Sequence, residues 1–226
     1  MNAFEVIERK AHVLLDFDGP ICGVFEGVGG RVVAGRLCEF LARLGVVVRP
    51  HVAESGDPFE VLFFAAGVHG DVGRAVHGEL ARAEVEAVAS APETPGVADV
   101  VRYLVQRGRT VSVVSNNSGD AVWAYLRTVD FGECVTGVSA RSADNLGLLK
   151  PEPFLVGEAV RRLGAIAADC VMVGDSVSDV EAAKAAGVGV IGFANKPRKR
   201  ERFEALDVDA VITDMSELIG SVSPAG

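Results

Sequence analysis

Asp16 and Asp18 stand one residue apart, where the apolar run Val13-Leu14-Leu15 breaks at Gly19-Pro20. In extended backbone, residues i and i+2 project to the same side, so these two charges repel. A divalent cation shared with a phosphate relieves the repulsion, as does protonation of one partner. Alone, the pair reads equally well as an Asp-rich surface turn. Three further residues shift that balance. Ser115 ends the apolar run Thr110-Val111-Ser112-Val113-Val114, and Asp175 ends Cys170-Val171-Met172-Val173-Gly174. Lys150, followed by Pro151-Glu152-Pro153, precedes a helical pattern.

These residues converge only if the runs are parallel strands of one sheet, because the carboxyl ends then share one rim. The chain supports that arrangement. From Val97 onward apolar runs alternate with helical periodicity, which predicts a parallel sheet with helices on both faces. Between the first strand and this remainder, about Val32 to Ala89 reads as helix without a strand, starting afresh at Asp57-Pro58-Phe59-Glu60. The expected architecture is an α/β doubly wound parallel sheet, residues 1–22 and 92–226, carrying an inserted helical cap, 23–91. Ala91-Pro92-Glu93-Thr94-Pro95-Gly96 reads as a hinge-like linker, and the tail from Ser221 as disordered.

Composition narrows the function classes. Across 226 residues the net charge is −9, which disfavours nucleic acid and anionic membranes as partners. A phosphate substrate stays possible, since a metal overrides net charge locally. The four cysteines form no Cys-x-x-Cys pair, which argues against zinc and fits a reducing compartment. No membrane-length run or leader pattern is present, so a soluble, cytoplasmic protein is expected.

A rim carrying Asp16, Asp18, Ser115, Lys150 and Asp175 suits phosphoryl transfer through an aspartyl phosphate. A carboxylate nucleophile needs no activating base but needs its charge screened from the phosphate. Magnesium and a lysine provide that screening, and a hydroxyl and loop amides hold the phosphate oxygens. The second Asp of the pair can protonate the leaving oxygen and later activate water.

Four segments in order, Asp16-Phe17-Asp18-Gly19, Val113-Val114-Ser115-Asn116, Lys150-Pro151 and Gly174-Asp175-Ser176-Val177-Ser178-Asp179, resemble the motifs of the haloacid dehalogenase-like hydrolase superfamily. The resemblance covers almost the whole chain, and the helical insert is similar to that of the phosphoglycolate phosphatase and β-phosphoglucomutase group. It implies that Asp16 is the nucleophile and a metal ligand. It implies that Asp18 is the general acid/base, with its backbone carbonyl on Mg2+. Ser115 and Lys150 would bind the phosphoryl group, with the backbone amides of Asp18 and Asn116. Asp175 would bind magnesium, and Asp179 would assist the metal shell, hold Lys150, or simply cap a helix. Pro20 departs from the family pattern, which has Thr or Val there.

The expected function is a Mg-dependent phosphatase acting on a small phosphorylated metabolite. A β-phosphoglucomutase-like mutase and a non-catalytic binding protein that kept the fold are the alternatives. Asp18 speaks against the dehalogenase reaction. The absence of lysine between Lys10 and Lys150 excludes Schiff-base chemistry from the insert. Monomer and homodimer both stay open. Among lesser readings, Asn117 either contacts substrate or shapes its loop. Phe59, Phe63 and Phe64 read as core of the insert, Trp123 as packing on the sheet, and the run Lys196–Arg202 as a solvated helix start. Any of His51, His69 and His77, or of the six arginines between Arg31 and Arg82, could face the site.

Overall fold

The computed structural model describes residues 2–220; the tail expected to be disordered lies outside them. Six strands form one parallel sheet: β1 (His12–Leu15), β2 (Thr110–Ser118), β3 (Val135–Arg141), β4 (Cys170–Gly174), β5 (Gly189–Phe193) and β6 (Ala210–Ile212). Their spatial order is β3-β2-β1-β4-β5-β6. The order reverses at β1, with β2 on one side and β4 on the other, so the crevice of this sheet lies at the end of β1. Leu15 pairs with both Val113 and Val173, which aligns the three carboxyl ends.

The short β1 is buried on both faces, as its unbroken apolar run requires. Val13 and Leu15 join a core with Val111, Val113, Val171 and Ile191; α1 (Ala3–Glu8), α6 (Val97–Gln106) and α7 (Gly119–Leu126) cover it. Leu14 points the other way, into a core with Val114, Met172 and Val190 under α8 (Phe154–Arg162), α9 (Val177–Ala185) and α10 (Lys199–Ala205).

Between β1 and β2 the chain forms only helices: α2 (Gly30–Arg43), α3 (Pro50–Ser55), α4 (Pro58–Val68) and α5 (Gly70–Val88). Asp57 caps α4 as its sequence predicts, accepting from the Phe59 N–H at 2.8 Å ahead of Pro58. Val33, Leu37, Leu41, Leu62, Val76 and Leu80 of these helices belong to the same core as Leu14 and Met172. The insert leaves and returns along one track. Cys22 pairs antiparallel with Glu93, Gly23 N–H donates to Pro92 O at 3.1 Å, and Thr94 N–H donates to Ile21 O at 2.9 Å. The stretch read as a hinge-like linker is thus hydrogen-bonded to the segment that opens the insert.

Several expectations need correction. Trp123 does not pack on the sheet: Val122, Tyr125 and Leu126 take the inner face of α7, and Trp123, about 100° around the helix from Val122, is 41% exposed. Phe63 is likewise 43% exposed, because Val61, Leu62 and Ala65 fill the inner face of α4. Strand β2 continues past Ser115 to Ser118, with an irregular register against β3. The helices α1 and α3 had no counterpart in the sequence reading, although Asn2 and Glu5 form a capping box at the start of α1. Among the described residues, no helix is long and apolar enough to cross a membrane.

Candidate active site

The rim at the ends of β1, β2 and β4 gathers Asp16, Lys150, Asp175 and Asp179, residues up to 163 positions apart in the sequence. Asp16 directly follows β1, and its N–H donates to Val173 O at 2.9 Å. The side chain is buried, and Oδ1 accepts from Phe17 N–H at 2.7 Å and from Lys150 Nζ at 2.8 Å. Among the described residues Oδ2 receives no protein hydrogen bond.

Lys150 is 3% exposed, and each of its three ammonium protons has an acceptor: Asp16 Oδ1, Asp179 Oδ1 at 2.6 Å and Val114 O at 3.1 Å. Burial pulls its pKa down, but Asp16 and Asp179 more than reverse this and hold it above its ordinary value. Its backbone is fixed by Asn116, whose Oδ1 accepts from Lys150 N–H at 2.9 Å and whose Nδ2 donates to Lys150 O at 2.9 Å. Asn116, expected to act through its backbone amide, seats the lysine through its side chain.

Asp179 both holds Lys150 and caps a helix, two of the roles left open for it. Its Oδ2 accepts from Ser176 N–H at 2.9 Å and Ser176 Oγ at 2.7 Å, closing a capping box on α9. The approach is so close that a Cβ on Gly174 would lie 2.3 Å from Asp179 Cβ, so this position requires glycine.

Asp175 faces the other flank. Its Oδ2 accepts from Lys199 Nζ at 2.5 Å and Asn195 Nδ2 at 3.1 Å. Part of the basic run read as solvated is thus turned inward: Lys199 begins α10 at this carboxylate. Gly19, at φ +109°, brings the turn after β1 so near that a Cβ there would lie 2.5 Å from Asp175 Cγ.

Asp18 sits in that turn. Its Oδ1 accepts from Val24 N–H at 2.9 Å, and burial, aided by Asp175 and opposed by the Val24 bond, raises its pKa to about 6. A cavity of about 580 Å3 opens beside Asp18 and Asp175, with Phe25, Thr94, Lys196 and Met215 in its wall.

Ser115 is enclosed within β2. Its Oγ donates to Asn117 Oδ1 at 3.1 Å and accepts from Asn117 N–H at 3.0 Å. Asn117 is itself buried and donates to Glu84 Oε1 at 3.1 Å, so it shapes the segment. Of the insert's histidines, His51 and His69 are exposed, and all six of its arginines are exposed. His77 alone reaches inward, to Arg141.

Carboxylate oxygens of Asp16, Asp175 and Asp179 lie within 4.8 Å of one another. Burial first, and then the charge of Asp179, push the Asp16 carboxyl well above the ordinary range despite Lys150. Crowded oxygen donors around an under-compensated negative charge suit a hard divalent cation such as Mg2+. The Asp18 carboxylate lies outside this cluster; its expected share was through the backbone carbonyl.

The model of the haloacid dehalogenase-like hydrolase family matches residues 11–187. The chain belongs to this family. All four family segments named from the sequence fall inside the matched stretch. A phosphoglycolate phosphatase of Pseudomonas putida is 29% identical over 167 residues, covering 71% of this chain and 61% of that protein. A bifunctional riboflavin kinase/FMN phosphatase of Arabidopsis thaliana is 27% identical, covering 86% of this chain and 51% of the relative. The chain thus spans about half to three-fifths of these relatives. The solved structure of CbbY from Rhodobacter sphaeroides in complex with phosphate superposes with a TM-score of 0.66 at 22% identity, covering 92% of this chain and 96% of that one. The two chains share one fold over that length.

Sequence reasoning missed Glu84, Arg141, Asn195 and Lys199. Glu84 carried a signal: it continues the Val76, Leu80 spacing of α5, so an acid stands where an apolar residue belongs. Arg141 ends a strand on the same rim as Ser115 and Asp175, and the rule applied to those two points to it as well.

Proposed function

We propose that this chain is a magnesium-dependent phosphatase that hydrolyses a small phosphomonoester through a phosphorylated Asp16, with residues 23–91 acting as a cap on the core of 1–22 and 92–226. The observation that carries the reading is the placement of Asp16: one carboxylate oxygen is clamped by Lys150, and the other, which accepts no hydrogen bond among the described residues, is the one that attacks. The phosphatase names of two relatives agree with it.

Asp16 attacks phosphorus, and the bond from phosphorus to the ester oxygen breaks. Asp18, with a pKa near 6, gives its proton to that oxygen as it leaves. Asp18 then takes a proton from water, whose oxygen attacks the phosphorus; the bond to Asp16 breaks and orthophosphate is released. Lys150 holds Asp16 in line and offsets the charge of the transferring group. The Asn116 backbone N–H holds another phosphate oxygen, and the buried Ser115 hydroxyl joins it only by giving up its bond to Asn117 Oδ1. Asp16, Asp175 and the Asp18 carbonyl would hold magnesium, whose charge when bound offsets that between carboxylate and phosphate. Asp179 supports the site through Lys150.

Phosphate release from an aryl phosphate, phosphoglycolate, sugar phosphates, FMN and nucleotides, with magnesium and with chelator, tests the reading. Magnesium-dependent release is expected from at least one ester. Asp16→Asn should cut it by at least about a thousandfold while the protein stays folded, since the covalent route is lost. No release from any ester would leave a binding protein; a need for a sugar bisphosphate with no net release would mark a mutase.

A further inference from the structure

A second enclosed ion pair lies where the insert meets the sheet. Glu84 of α5 and Arg141 at the end of β3 are both inaccessible to solvent, and Arg141 Nη2 donates to both Glu84 oxygens at 2.6 Å. Every other strong bond of the pair, apart from one to His77, runs to three consecutive residues. Arg141 Nε donates to Asn116 O at 2.8 Å, Glu84 Oε1 accepts from Asn117 Nδ2 at 3.1 Å, and Glu84 Oε2 accepts from Ser118 N–H at 2.9 Å. Arg141 Nη1 donates to Nδ1 of His77 on α5. Burial and the guanidinium lower the His77 pKa to about 4, so this imidazole is neutral and offers a lone pair.

Asn116 and Ser118 need outside partners for their backbone because of the irregularity in β2. Its register against β3 shifts between Ser115 and Ser118, so the backbone there leaves the regular ladder. Buried backbone groups off the ladder must be satisfied elsewhere, and Asn116 O and Ser118 N–H find Arg141 and Glu84. The same segment orients the site. Asn117 fixes the Ser115 hydroxyl, and Asn116 seats the Lys150 backbone.

We infer that Glu84 and Arg141 are positioning residues for phosphoryl transfer: a carboxylate from the insert and an arginine from the sheet set the geometry of the Ser115–Ser118 segment, and through it of Lys150. The inference rests on the phosphatase reading above. It also explains why charge is kept here, since a buried pair of this kind can be replaced by apolar residues at little cost in stability.

The test compares wild type with Glu84→Met/Arg141→Met and Arg141→Lys. Phosphate-release kinetics, calorimetric binding of inorganic phosphate with magnesium, and thermal melting are measured. The Met pair should melt within a few degrees of wild type. Its kcat should fall about tenfold to a hundredfold with KM changed less, because a misplaced segment costs more in the transition state than in binding. Arg141→Lys keeps the charge but loses the bond to Asn116 O, and should fall in between. Wild-type kcat in the Met pair, or a loss matched by the unfolded fraction, overturns the inference. Should the Met pair fail to fold, Arg141→Lys decides, since it keeps the charge: a fall in kcat with KM changed less supports the inference and wild-type kcat overturns it. Should wild type bind phosphate but hydrolyse no ester, the phosphatase reading fails alone. Phosphate affinity then decides, a fall in the variants supporting positioning and an unchanged value overturning it. A wild type that neither hydrolyses esters nor binds phosphate overturns both.

Discussion

Two buried cations stand on the same rim and solve opposite problems. Lys150 presents three donors to Asp16, Asp179 and a carbonyl, and it serves two carboxylates at once. Arg141 sets one nitrogen, Nη2, against both oxygens of one carboxylate, and directs its other two nitrogens to a carbonyl and an imidazole. A compact ammonium leaves negative charge in excess around it, a place suited to attack and to a metal. A guanidinium matched to Glu84 leaves none, a place suited to holding geometry. In the reading proposed above, the first cluster carries the chemistry and the second holds it in place.

The difference can be broken experimentally, starting with the largest effect. Lys150→Met strands two buried carboxylates; turnover should drop by at least about a thousandfold, and stability measured in chelator should fall by roughly 3–5 kcal/mol. Replacing Asp179 by Asn alongside it should recover only part of that, because Asp16 stays uncompensated. Arg141→Met strands one carboxylate, with a cost of about 3–5 kcal/mol that Glu84→Met should largely return. If the Lys150 loss is equally reversible by one partner change, the two clusters are alike and the contrast fails; denaturant unfolding of each cycle decides.

The smallest effect concerns Asp18. Its folded pKa of about 6 lies above the ordinary 3.8, so the folded protein keeps a proton that the unfolded chain releases as pH rises through that window. The carboxylate therefore costs stability above pH 6 and costs little below pH 4. Asp18→Asn should raise the metal-free melting temperature by a few degrees at pH 7, with the gain vanishing near pH 4. An equal gain at both pH values would show that the shift has another origin.

The contrast between the clusters also tracks what the sequence made legible. Asp16 and Asp175 follow apolar runs whose ends a parallel sheet must align, so their meeting followed from topology; Lys150, ahead of a helix, and Asp179, within one, were legible through their resemblance to the family motifs. The alternation of strands and helices after Val97 and the helical insert followed from periodicity. Glu84 and Arg141 each carried a local signal, an acid in an apolar spacing and a charge at a strand end, but their pairing depends on how α5 packs beside β2, which no local pattern encodes. Lys199 was read as solvated because charge runs usually are; its turn toward Asp175 depends on the loop after β5. Trp123 is large and apolar, but its angle around α7 turns it away from the buried face of Val122, Tyr125 and Leu126.

The paired segments at Ile21–Gly23 and Pro92–Thr94 give the insert a single stem. Two chain ends that already touch can be joined by a tight turn, and a different segment can be spliced into the same gap without stretching the sheet. The sheet with its carboxylates can then be kept constant while the cover is exchanged. In this protein such an exchange has a condition attached: the new cover must bring its own carboxylate to Arg141.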